Sequence, residues 1–261
     1  MIESVIIILL SLAFGSFANN VISYFVNSSK FDLFRSTCFC GKKELKIIEL
    51  IPILSFVLQK GKCTECSERI SIRYPLVEIL TVVIGLLVYN LLGLEIRTAV
   101  IFLILYILMI ISVVDYNRLI IPNILTIILL ALVSILLFIN SEPVVTRIAM
   151  SFTITIVLIG VQYLFKKIKN KDGLGAGDIK LIFVLSLLLN LTDSMIAIWI
   201  SSLIGLLTIT LLNLNRINQL KEIKIPFGLY LSIGFAFVIL WNLKFDISGL
   251  ENLIASLWQL N

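Results

Sequence analysis

The chain has 261 residues, of which 59% are hydrophobic, with a mean hydropathy of +1.09 and a formal net charge of +5. A soluble domain of this length cannot bury so much apolar surface, so the composition points to a polytopic membrane protein. The sequence also contains no histidine. That absence excludes a Ser-His protease, a His-Glu-x-x-His zinc peptidase and any imidazole proton relay.

In chain order, the hydropathy pattern predicts an all-α fold with eight spans. They run roughly over residues 2–25, 75–94, 98–115, 120–140, 146–165, 179–191, 194–214 and 226–243, the sixth being short. The first span opens with Glu3 where a secretory leader would have basic residues, and its apolar stretch is long, so it is expected to be retained. A loop over 27–74 follows. Within it, Ile47 to Leu58 is apolar but too short to span and carries Glu49 and Pro52, which suits an interfacial piece. The expected organisation is a first transmembrane helix (1–26), a cysteine loop (27–74), a membrane core (75–245) and a C-terminal tail (246–261). Leu250, Leu253, Ile254 and Leu257 recur at helical spacing in that tail and predict an amphipathic surface helix.

Charge sets the expected orientation. All but three of the 21 Lys and Arg fall in the first, third, fifth and seventh loops; the exceptions are Arg97, Arg147 and Lys244. By the positive-inside rule those odd loops are cytoplasmic and both termini lie outside. The basic balance then reflects orientation and anionic lipid, with no nucleic-acid partner implied.

The cysteine loop carries Cys38-Phe39-Cys40 and Cys63-Thr64-Glu65-Cys66. Two close thiol pairs, Cys38, Cys40, Cys63 and Cys66, form a candidate tetrahedral zinc site, structural because all four positions are filled. A reducing cytoplasm argues against disulfides. Cys-x-Cys is one residue tighter than the usual spacing, and four incidental thiols are the alternative.

Two acids stand at span ends. Asp115 closes the third span and Asp178 opens the sixth, within Gly175-Ala176-Gly177-Asp178-Ile179-Lys180. Both ends fall on the cytoplasmic side, which puts the carboxylates at matching depth. Carboxylates at the membrane are costly and mark function. Two close together titrate as a coupled pair, one activating water as general base and the other polarising a carbonyl as general acid. Gly173, Gly175 and Gly177 are expected to supply unusual backbone angles or close approach. Helix dipoles favour negative charge at Asp178, at a helix N-terminus, over Asp115, at a C-terminus. Taken singly, Gly-x-Gly-Asp also marks ordinary turns, and a lone Asp at a span end is commonly a solvated boundary residue. An ion-coupled transporter is a second class that uses paired acids, though it would hold them at mid-depth. A catalytically silent assembly factor is a third.

The chain resembles the prepilin peptidase (type IV leader peptidase) family of Gly-x-Gly-Asp aspartyl proteases. The resemblance rests on ordered blocks over most of its length: Gly15-Ser16-Phe17-Ala18-Asn19-Asn20-Val21-Ile22, Glu49-Leu50-Ile51-Pro52, Gly61-Lys62-Cys63-Thr64-Glu65-Cys66, Ile70-Ser71-Ile72-Arg73-Tyr74-Pro75-Leu76-Val77-Glu78, Asp115 with Ile121-Pro122, and Gly175 to Lys180. It implies a membrane aspartyl endopeptidase of the bacterial cytoplasmic membrane with catalytic Asp115 and Asp178, supported by Gly175, Gly177 and Lys180. The implied partners are type IV prepilins or pseudopilins, cleaved on the cytoplasmic side after a basic leader. It also implies N-methylation of the new terminus with S-adenosylmethionine. The shortened first cysteine pair, and the lack of an Arg-Leu-Pro-like run between Tyr24 and Cys38, depart from the family's pattern in the half that methyl transfer is thought to need. Glu78, one turn into the second span, is expected to pair with Arg73 or cap its helix, with a role in methyl transfer or substrate contact as the alternative.

Overall fold

The computed structural model describes residues 2–27, 51–63, 67–170, 173–212 and 225–244. Among them the chain is helical: α1 (Ile2–Asn27), α2 (Leu54–Leu58), α3 (Arg73–Leu92), α4 (Ile96–Arg118), α5 (Asn123–Ile139), α6 (Val144–Lys169), α7 (Ala176–Leu188), α8 (Leu191–Leu212) and α9 (Phe227–Lys244). Every expected span has its helix within a few residues. Six of them, α1, α3, α4, α6, α8 and α9, are long and apolar enough to cross a membrane. At 1.5 Å per residue α7 is only about 20 Å long, short of a bilayer core of about 30 Å.

Two compact units divide at Leu94, so α3, which hydropathy alone assigned to the membrane core, groups with α1. In the first unit α1 packs along α3. The helices approach closely because Gly15 lies against the Glu78 backbone, where a Cβ would come within 2.8 Å of Glu78 Cα. Asn19 Nδ2 donates to the Tyr74 carbonyl at 3.0 Å, and Arg73 Nη2 donates to Ser23 Oγ at 3.0 Å. Glu78 is buried and accepts the Ile53 N–H at 2.7 Å, so it holds the entry to α2. The short α2 covers the end of the apolar piece expected over Ile47 to Leu58, of which residues 47–50 lie outside the described residues.

In the second unit α4 is the core helix. Its residues from Ile104 to Ile111 are buried on every side, as expected of a helix apolar all round. Around it pack α5 and α9, with α7 inserted among α5, α6 and α9. By contrast α6 exposes Phe152, Ile156, Val157, Val161 and Leu164, a face suited to lipid. Small residues again bring helices together: a Cβ on Gly234 of α9 would meet Ser201 Oγ and Ala197 O of α8, the latter at 2.6 Å. Buried hydroxyls are satisfied locally, with Ser201 Oγ donating to Ala197 O at 2.6 Å and Ser232 Oγ to Gly228 O at 2.8 Å.

Candidate active site

Asp115 and Asp178 come from opposite kinds of helix end. Asp115 lies in the last turn of α4. That helix stops three residues later with Leu119 in the left-handed region (φ 57°), its N–H closing on Asp115 O at 2.8 Å. The next residues, Ile120 to Pro122, cross to α5, and Pro122 caps it from just outside the first turn. Asp178 is the third residue of α7, and its Oδ2 reaches back to accept the Gly175 N–H at 3.1 Å. This is the carboxylate half of a capping box, and it fixes the side chain over the glycine loop.

The two carboxylates meet at one end of the second unit, close enough to interact electrostatically. Ile121 lies between their supports. A Cβ on Gly177 would come within 3.3 Å of Ile121 Cβ, and one on Gly228 within 2.8 Å of Ile121 Cδ1. Asp115 is 4% exposed, whereas Asp178 is half-buried beside exposed Gly175 and Ala176. One acid is therefore sheltered and the other partly open to the surface.

The glycines act through space, not backbone angle. Gly175 has φ −73°, and none of Gly173, Gly175 and Gly177 has positive φ. A Cβ on Gly175 would lie 2.9 Å from Asp178 Oδ2, and one on Gly173 would lie 2.9 Å from Phe165 Cδ1. Any side chain at 175 would push on the carboxylate that the loop presents. Gln162 of α6 anchors the same loop, Nε2 donating to Leu174 O at 2.8 Å. Lys180 points toward α5, where Nζ donates to Asn123 Oδ1 at 3.3 Å.

The main addition to the sequence reading is α9. Its N-terminus runs against Asp115: Leu229 N–H donates to Asp115 Oδ2 at 3.0 Å, and a Cβ on Gly228 would lie 3.0 Å from the same oxygen. The dipole contrast drawn from sequence therefore narrows. Asp115 ends one helix but faces the N-terminus of another, so each acid receives an amide from a helix start. Pro226-Phe227-Gly228 at a span start was the available signal. Only the fold could tell which acid it serves.

Of the four candidate zinc ligands, Cys38, Cys40 and Cys66 lie outside the described residues, as does the 246–261 tail. Cys63 is buried. Its N–H donates to Glu68 O at 2.9 Å, Ser67 N–H donates to Cys63 O at 3.0 Å, and the backbones of Lys62 and Arg69 form an isolated antiparallel β-bridge. Among the described residues no group of three or more potential metal ligands comes together.

Comparison with known proteins divides the chain where the structure does. Residues 9–92 match the bacterial peptidase A24 N-terminal domain, and residues 102–210 match the type IV leader peptidase family. A prepilin leader peptidase/N-methyltransferase of Aeromonas salmonicida is 33% identical over 80% of this chain and 72% of its own length. A protein of the same description from Aeromonas hydrophila is 31% identical over 91% of this chain and 90% of its own. One from Bacillus subtilis is 34% identical over 66% and 68%. No solved structure matches.

Proposed function

The chain belongs to the type IV leader peptidase family, and from that premise we propose that it is a membrane aspartyl endopeptidase that removes the leader of type IV prepilins or pseudopilins. Asp115 and Asp178 are the proposed catalytic pair. The observation that supports this most is their convergence, each carboxylate accepting a backbone amide at a helix start and both at one end of one bundle.

In the proposed reaction one carboxylate takes a proton from water and the water oxygen bonds to the scissile carbonyl carbon. The other carboxyl donates its proton to the carbonyl oxygen. Collapse of the tetrahedral adduct breaks the C–N bond, and the departing amine takes up a proton. The half-exposed Asp178, with its open glycine loop, is the side from which an extended segment would enter. The loop's lack of side chains leaves that approach clear.

The orientation proposed is that of the charge pattern, with eight spans, the acids at the cytoplasmic face and both termini outside. N-methylation of the new terminus is the proposed second activity, supported by the shared description of the relatives. S-adenosylmethionine would supply the methyl group. Zinc held by Cys38, Cys40, Cys63 and Cys66 would staple the cysteine loop.

The test is purified protein in lipid nanodiscs with a peptide bearing a basic leader that ends in Gly before a hydrophobic segment. Mass spectrometry would read loss of the leader and, with S-adenosylmethionine, the gain of one methyl group. Leader loss is expected. An intact peptide, under conditions where the Aeromonas hydrophila relative cleaves it, would overturn the reading.

A further inference from the structure

Two costly features of the first unit lean on each other. Glu78 is 7% exposed, and among the described residues its one polar partner is the Ile53 N–H, with no cation paired to it. Arg73, the nearest basic residue in sequence, is engaged elsewhere. Its Nη2 donates to Ser23 Oγ at 3.0 Å, and its guanidinium lies 5.1 Å from the Tyr74 ring centre. A buried carboxyl with one donor and no cation is expensive. Gly15 of α1 leaves room for it, since a Cβ there would lie 3.3 Å from Glu78 Cγ.

The group that Glu78 holds is strained. Ile53 has φ 62° and ψ −50°, and Leu54 N–H donates to Pro52 O across it at 2.6 Å. This is a γ-turn of the rare, positive-φ kind, and a β-branched side chain makes it a genuine outlier. Glycine would take the same conformation at far lower cost. Residues in such regions persist only where their surroundings fix them, and they gather at functional sites. Here the fixing contact is the 2.7 Å bond from Ile53 N–H to Glu78 Oε2.

The turn governs the segment that follows it. Ile53 O accepts the Val57 N–H at 3.1 Å, so the turn sets the start of α2. On that helix, Phe56 O accepts the Gly61 N–H at 2.9 Å, and a Cβ on Gly61 would lie 3.2 Å from Phe56 Cζ. Gly61 O in turn accepts the Ile70 N–H at 2.8 Å. Contact by contact, the Glu78 carboxyl fixes residues 51–63. Asp115 and Asp178 belong to the other unit.

We propose that Glu78 is a positioning residue for methyl transfer: its carboxyl holds the strained Ile53 turn, and so sets the 51–63 segment, without entering the chemistry. The inference rests on the second activity proposed above. In that reaction the amine nitrogen of the new terminus bonds to the donor's methyl carbon. The carbon–sulfur bond breaks with its electron pair on sulfur, and the nitrogen gives a proton to water. Such a displacement depends on holding its two partners in line. A segment held this firmly, in the unit without the acid pair, is suited to that task.

The test uses the full-length protein in nanodiscs with the leader peptide and S-adenosylmethionine. It reads leader loss, methyl gain and, without peptide, deuterium uptake over residues 51–63. Glu78→Leu removes the acceptor and is expected to slow methyl gain by about tenfold or more, to raise that uptake, and to leave leader loss nearly unchanged. Glu78→Gln keeps an acceptor but cannot exchange a proton, and is expected to keep methyl gain near wild type. Ile53→Gly/Glu78→Leu is expected to recover methyl gain, because glycine needs no latch. Should Glu78→Leu fail to fold, this double variant is expected to fold, and failure of both would overturn the proposal. So would Glu78→Gln as slow as Glu78→Leu, no recovery in the double variant, unchanged uptake in Glu78→Leu, or leader loss that falls as far as methyl gain. Wild type that cleaves but adds no methyl group, where the Aeromonas hydrophila relative adds one, would overturn the second activity and this role with it.

Discussion

The two ends of the second unit treat charge in opposite ways. At one end Asp115 and Asp178 each accept a backbone amide from a helix start. Their surroundings are glycines, whose missing side chains leave room for the carboxylates. At the other end Arg97 and Arg147 sit at helix starts that repel them, with buried donors left over. Charges held by matched partners are positioned in advance, as catalysis requires.

The comparison can be broken most sharply at the acids. Asp115→Asn or Asp178→Asn keeps shape and removes acid–base function, so cleavage measured by mass spectrometry is expected to fall by at least 10²–10⁴-fold. Next comes Gly228→Ala, which presses a methyl group on Asp115 Oδ2 and Ile121 without touching either acid's chemistry. Displacing a carboxylate by a fraction of an ångström is expected to lower kcat by on the order of 10²-fold, while circular dichroism shows the helices retained. Gly175→Ala tests the same principle at Asp178 and is expected to act in the same direction. An unchanged kcat in both glycine variants would mean that the carboxylates are not held by these contacts.

Smaller effects separate scaffold from site. Gly234→Ala places a methyl group against Ser201 and Ala197 where α8 and α9 cross. It is expected to destabilise the protein by about 1–3 kcal/mol in thermal unfolding, with kcat nearly unchanged at temperatures where the protein stays folded. Gln162→Leu removes the anchor on Leu174 O. A loss of about 1 kcal/mol and a drop in kcat of a few-fold are expected, the second because the glycine loop loses a fixed point.

Much of this was legible in the sequence. Apolar stretches located the helices because length and hydropathy decide which segments can cross a bilayer. Asp115 and Asp178 stood out because acids at span ends are few. The roles of the glycines were only partly legible. A glycine can serve φ or space, and at Gly175 the choice depends on where the Asp178 side chain folds. The part played by Gly228 and Leu229 was not legible, because α9 lies more than a hundred residues from Asp115 and only tertiary packing brings its N-terminus there. Likewise Arg97 and Arg147 read as isolated exceptions to the charge pattern until the fold put them in one cleft. For Glu78, helix position suggested Arg73 as partner, whereas the N–H of Ile53 in the preceding loop takes it.

The central claim is that Asp115 and Asp178 act as one unit, and the cleavage rates of both single variants and of Asp115→Asn/Asp178→Asn together test it most directly. Groups that share one step fail non-additively. The account predicts that the double variant is no slower than either single one, all three retaining their helices. Losses that multiply in the double variant, or cleavage that survives either single substitution, would contradict it.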